Sequence, residues 1–326
     1  MKKRDLRLDF VKGVLVIVMV FYHTMNYFIV GYDIVYTIIG FVSGSFLFIS
    51  GFLIGYSYKP KFFLDKYGVV KRLIIRGFKI LLLFTILNLL IHLLVKKNYN
   101  NTKFGIDIFI NNLYSIYVVG SGKVSSFEIL VPIAYVLIIS PLFLFLKQIK
   151  HFLLILITII VIIQAFYPIV TDSLSFVLIG LSGECIGLFT SEDVLKKLIR
   201  YKYINLGFLS AVIFIIIFLK INLIIYVIYI ISMLKFFYDF PVKIKSDVPS
   251  PVITLLGKYS LFCYISQIIF LQILNRIIIN KKFDLGYEFI IIFFITNIFL
   301  YFLCKKIEFL RNQLPFMNKL YKLAFA

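Results

Sequence analysis

The chain has 326 residues, 62% of them apolar and only 15% charged, and its 35 Lys and Arg against 15 Asp and Glu give a formal net charge of +20. A soluble domain carries about 45–50% apolar and about 25% charged residues, so an ordinary cytosolic domain is excluded, as is a disordered chain. The basic residues stand in short groups between apolar runs, which is the pattern of membrane topology and not of a nucleic-acid binder.

A spanning helix takes about 20 mostly apolar residues. The runs that qualify are 11–30, 34–57, 73–95, 128–147, 152–170, 174–190, 203–219, 221–238, 252–274 and 286–304. The first is too long for the apolar core of a signal peptide and no small-residue cleavage site follows it, so it reads as a retained signal anchor. The seventh and eighth, separated by Lys220 and Asn222, read either as two spans or as one re-entrant pair. Placing Lys2, Lys3, Arg4 and Arg7 in the cytoplasm puts the groups at 59–72, 147–150, 196–202, 243–245 and 305–322 on the same side. Only a minority of basic residues, such as Lys96, Lys97, Arg276 and Lys281, then lie opposite, as the positive-inside rule requires. The expectation is an all-α, polytopic protein of about ten transmembrane helices, a single domain over 1–326 with both termini cytoplasmic. Its longest external stretch is 96–127, with a weakly amphipathic piece at 104–118.

Cys185, Cys263 and Cys304 lie in apolar runs without paired spacings or companion histidines. No disulfide framework and no metal site is expected, and the three read as packing residues.

Ionisable groups inside a membrane are costly and face the protein interior or a watery cavity. His23 lies about 16 Å beyond Lys12 along a helix rising 1.5 Å per residue, between Tyr22 and Thr24 and close to Asn26. It fits a hydrogen bond between helices or a general base that takes a proton from a hydroxyl. In the second span Ser43, Gly44, Ser45, Ser50 and Gly51 form a small stripe. Close helix packing explains it, while Ser43 and Ser45 reach depths at which they could line a cavity with His23. Arg72 and Arg76, four apart, share a helix face at the start of the third span. Membrane-edge anchoring accounts for Arg72, but Arg76 stands a turn inside the apolar run, and a guanidinium pair there suits phosphates such as those of coenzyme A. Glu128 opens the fourth span, where the helix dipole favours an acidic residue and where it also faces an external substrate. Glu184 interrupts the sixth span, either paired with a basic neighbour or handling protons.

In chain order these residues resemble the membrane-bound acyltransferase-3 family, most closely its periplasmic glucan succinyltransferase branch. The resemblance rests on Arg4-Asp5-Leu6-Arg7-Leu8-Asp9-Phe10 with Lys12-Gly13, and on Ser45-Phe46-Leu47-Phe48-Ile49-Ser50-Gly51-Phe52. It continues through Arg72 and Arg76, Phe127-Glu128-Ile129-Leu130 with Pro141, and Leu256-Gly257-Lys258-Tyr259-Ser260-Leu261 with Tyr264. His23 falls where the family's catalytic His is expected. Lys12 stands where the family has an Arg, and Gln267 where it usually has a His.

The resemblance implies a membrane-bound O-acyltransferase that moves an acetyl or succinyl group from an acyl-CoA donor to an envelope glycan or glycolipid in a bacterial cell membrane. His23 with Lys12 would be catalytic, and Arg72 and Arg76 would hold the donor. Asn26, Ser43, Ser45, Ser50, Glu128, Glu184, Ser260 and Gln267 would line the cavity. No resident cofactor, metal or nucleic acid is implied; the partners are acyl-CoA, the acceptor and the lipid bilayer. The alternative from another class is a transporter or flippase for a lipid-linked or anionic solute, although the two halves show no paired interruptions of the kind transporters carry.

Overall fold

The structure, a computed structural model, describes residues 5–29, 33–94, 106–119, 126–146, 173–190, 223–239, 250–277 and 287–325. The helices are α1 (Leu6–Phe28), α2 (Asp33–Ile39), α3 (Phe41–Leu64), α4 (Lys66–Leu94), α5 (Ile106–Asn111), α6 (Leu130–Leu146) and α7 (Ser173–Phe189). They continue as α8 (Leu223–Asp239), α9 (Pro251–Lys258), α10 (Ser260–Ile277), α11 (Tyr287–Gln313) and α12 (Pro315–Phe325), with a π-helical turn at Ser115–Val119. Among the described residues α1, α2 with α3, α4, α10 and α11 are long and apolar enough to cross a membrane, and α6, α7 and α8 are shorter apolar helices. The protein is an all-α polytopic membrane protein.

Of the expected spans, those at 152–170 and 203–219 lie outside the described residues. The others meet helices, with three differences that have local causes. The first helix begins earlier, at Leu6, because the Asp5 carboxylate caps it, accepting from the Arg7 and Leu8 amides at 2.9 and 3.4 Å. The run at 34–57 breaks at Gly40 into α2 and α3, and α3 then carries through Pro60 to Leu64, where Asp65 caps α4 by accepting from the Gly68 amide at 2.8 Å. The run at 252–274 is broken at Tyr259, whose φ of −111° and ψ of 25° end α9 before α10 begins.

The chain forms two compact units. The first contains α1, α2, the opening residues of α3, the end of α8 and α9–α12. Here α1 packs on α9, α10 and α11 around Val16, Val20, Leu256, Tyr259, Cys263, Leu300 and Cys304. Lipid is as apolar as this core, so burial alone drives little association and close packing has to do it. Gly13 and Gly257 permit that approach. A Cβ at Gly13 would strike the Ile253 carbonyl, and one at Gly257 the Asp9 carbonyl, so the α1 and α9 backbones touch.

The second unit contains the rest of α3, α4–α7 and the start of α8. Its α4 packs on α6 and α6 on α7, while α4 exposes Ile75, Phe78, Leu82, Ile86 and Leu90 along one side. That spacing makes a continuous lipid-facing stripe. The α3 and α7 backbones also meet through glycines. A Cβ on Gly51, Gly55, Gly183 or Gly187 would collide with a backbone carbonyl of the other helix, those of Gly180, Glu184, Phe48 and Phe52 in that order. Packing is thus what the Gly51 part of the small stripe does. Lys59 donates to the Leu188 carbonyl at 3.0 Å, placing a cation at the C-terminal end of α7.

Candidate active site

His23 sits on the last turns of α1 in the first unit, half-buried. Its ring stands 5.4 Å from Tyr22 at 73° and 6.1 Å from Tyr264 of α10 at 49°. Among the described residues it makes ring contacts but no hydrogen bond. Thr24 beside it is not available in the same way, since its hydroxyl is buried and donates to the Val20 carbonyl at 2.7 Å. Asn26 is exposed near the end of the helix.

Tyr264 and Gln267 are three apart on α10 and therefore neighbours on its surface. Gln267 is fully buried, and among the described residues neither its amide nitrogen nor its oxygen has a partner. Ser45 is buried with an unpartnered hydroxyl, while Ser43 is half-buried, both within the same unit. A buried polar group without a partner costs about 1–3 kcal/mol, so these are the atoms of the unit that would gain from a polar ligand. Ser260 opens α10, half-buried at the junction with α9.

Lys12 does not face open space. Its ammonium pairs with the Asp9 carboxylate one helical turn earlier, at 2.8 Å, with both side chains largely buried. An intramembrane charge on α1 is thereby neutralised, a pairing that the i, i+3 spacing of Asp9 and Lys12 made legible.

Arg72 and Arg76 lie on successive turns of α4 in the second unit. Arg72 is exposed; Arg76 is half-buried and its Nε is enclosed without a partner among the described residues. A desolvated guanidinium N–H with no acceptor is a strong donor in wait for an anion. Ser50 is half-buried on α3.

Glu184 is fully buried on α7. Among the described residues its partner is the Ser140 hydroxyl of α6, which donates to Oε2 at 2.7 Å, and not a basic side chain, while Oε1 has none. Glu128 lies just outside α6 rather than in its first turn. Its carbonyl accepts from the Val131 amide at 3.1 Å, and the helix starts at Leu130.

The turn before Glu128 reveals a residue that sequence reasoning passed over. Asn88, buried in the last two turns of α4, grips the backbone of Ser126 on both sides. It accepts from the Ser126 amide at 2.7 Å and donates to the Ser126 carbonyl at 3.0 Å. The next residue, Phe127, is buried with a φ of 61°, a left-handed conformation that costs a non-glycine residue about 1–3 kcal/mol. The clamp holds the chain in that strained turn and so fixes where Glu128 emerges. A lone Asn inside the apolar Leu87-Asn88-Leu89 run was the available signal. Replacing Asn88 by Leu should cost about 2–4 kcal/mol, because buried backbone groups lose their partners; the check is thermal unfolding of the purified protein.

A sequence model of the heparan-alpha-glucosaminide N-acetyltransferase catalytic family matches residues 4–195. The chain belongs to that family. It is a membrane enzyme of the acyltransferase kind. The match covers His23, Arg72, Arg76, Glu128 and Glu184, while Ser260 and Gln267 lie beyond it. It carries the coarser part of the expectation, a membrane acyltransferase, and does not reach the acyltransferase-3 family or its glucan succinyltransferase branch. No curated protein and no solved structure matches the chain.

Proposed function

We propose that the protein transfers an acetyl or succinyl group from an acyl-CoA thioester to a sugar of an envelope glycan or glycolipid. The observation that carries this reading is His23, a half-buried histidine that makes no hydrogen bond among the described residues, inside the stretch that matches an acetyltransferase catalytic family. As general base, a ring nitrogen of His23 takes the proton of the acceptor group while that group attacks the thioester carbonyl. The new bond to the acyl carbon forms, the carbon–sulfur bond breaks, and the coenzyme A thiol leaves with a proton. Gln267 and Ser45 supply amide and hydroxyl groups in the same unit, suited to the polar atoms of a sugar or acyl carbonyl.

Arg72 and Arg76 serve the donor. An acyl-CoA carries phosphates, and Arg76 offers an unpartnered Nε while Arg72 offers an exposed guanidinium one turn away. Hydrogen bonds to charged groups contribute about 1.5–3 kcal/mol each. Changing Arg76→Gln should therefore raise the KM for the thioester roughly 10- to 100-fold with a much smaller change in kcat. Steady-state kinetics with varied acyl-CoA check this, and an unchanged KM would remove the donor role. The basic groups on both termini and beside Arg72 support a cytoplasmic donor side in a bacterial membrane.

The family description favours a second reading of the acceptor, since it names an N-acetyltransferase acting on a glucosaminide. The receiving atom is then an amine rather than a hydroxyl. Parallel assays with an amino sugar and with its hydroxyl counterpart separate the two: product with the hydroxyl acceptor supports O-acylation, and product confined to the amine supports N-acylation.

A further inference from the structure

The C-terminal helix α12 follows α11 after the single residue Leu314. At about 100° per residue, Asn318, Tyr321 and Phe325 share one face, and that face is docked on the first unit. Arg311 donates to Asn318 Oδ1 from Nε and Nη2 at 3.3 and 3.2 Å and lies 4.1 Å over the Tyr321 ring. Tyr321 packs edge-on to Tyr259 at 5.5 Å, and Phe325 meets Phe262 at 5.8 Å. These contacts set the roll of the helix.

The opposite face carries Phe316, Leu320 and Leu323, at i, i+4 and i+7. They are 70%, 49% and 69% exposed, too much apolar surface to leave in water on a helix of 11 residues. Lys319 and Lys322, both exposed, lie along one side of this stripe, between it and the docked face, and α12 has no acidic residue. Further exposed lysines, Lys305 and Lys306, stand on the same end of α11.

We propose that α12 is an interfacial helix that lies on an anionic lipid leaflet, with Phe316, Leu320 and Leu323 among the acyl chains and Lys319 and Lys322 on the headgroup phosphates. Three observations select lipid as the occupant. The helix issues directly from α11, which is long and apolar enough to span the bilayer and exposes Ile291, Phe294, Ile298 and Phe302 to it. The flanking charge is of one sign and complements anionic headgroups, each such lysine contributing to attraction within a Debye length of the surface. A second copy laid over this stripe by a two-fold axis would bring the lysines of both helices to one seam, with no acidic residue on α12 to pair with them, which opposes self-pairing.

The test uses the full chain in nanodiscs of phosphatidylcholine, with and without phosphatidylglycerol. A nitroxide is placed by Phe316→Cys, Leu320→Cys, Leu323→Cys or Lys322→Cys; Cys185, Cys263 and Cys304 are buried, so labelling is confined to the introduced thiol. The expected result is high collision with oxygen and low collision with an aqueous nickel chelate at residues 316, 320 and 323, and the reverse at residue 322. Adding phosphatidylglycerol should deepen residue 320, and Lys319→Gln combined with Lys322→Gln, read from the residue 320 label, should abolish that added depth. Equal nickel access at all four positions overturns the proposal. Spin–spin broadening between labels at residue 320 also overturns it, because a second copy would then cover the face.

Discussion

Replacing His23 by Ala is expected to lower acyl transfer by roughly 10²–10⁴-fold, the range a positioned general base contributes, while the protein still inserts and purifies as a folded species. Nothing around His23 suggests a structural debt. Its ring contacts Tyr22 and Tyr264 without a hydrogen bond among the described residues, so its removal leaves no buried partner unpaired. The measurement is kcat with labelled acyl-CoA, read beside thermal unfolding. Loss of activity with an unchanged melting temperature supports the catalytic role. Full activity in the variant removes it.

Gly183→Leu is expected to have the largest effect on stability. A Cβ at this position already lands on the Phe48 carbonyl of α3, and a backbone atom cannot swing aside as a side chain can. The neighbouring contacts of Gly51, Gly55 and Gly187 repeat the arrangement along the same crossing, so the strain cannot be relieved by sliding one helix. The cost should sit at or above the top of the roughly 1–3 kcal/mol range for overpacked cores. Because Glu184 follows directly, separation of α7 from its neighbours would also disturb the bond from Ser140. Size-exclusion profile and thermal unfolding provide the check; a monodisperse variant of unchanged melting temperature would show that α3 and α7 do not touch as described.

Much of the architecture was legible because a membrane imposes a one-dimensional code of apolar runs and basic flanks. Helices α6 and α7 stand where such runs predict them, while α1 and α4 start earlier and α11 ends later than theirs. Breaks within runs were harder to read, since apolarity does not change across them. The interruption at Gly40 lies in a stretch that is apolar on both sides, whereas the one at Tyr259 stands between Lys258 and Ser260. Residues of unusual chemistry were visible one by one, and His23, Arg76 and Glu184 drew attention for that reason. Their partners were not visible. Ser140 lies 44 residues from Glu184 and Ser126 lies 38 from Asn88, and such pairings belong to packing rather than to periodicity. Asp9 and Lys12 are the exception, because helical spacing alone brings them together.

Transfer itself tests the central claim most directly. The purified chain in proteoliposomes is given acyl-CoA labelled in the acyl group together with a sugar acceptor, and product is followed by mass. The account predicts label on the acceptor and free coenzyme A thiol in equal amounts, both dependent on His23. Thioester left intact with every acceptor, together with counterflow of an anionic solute, would contradict it.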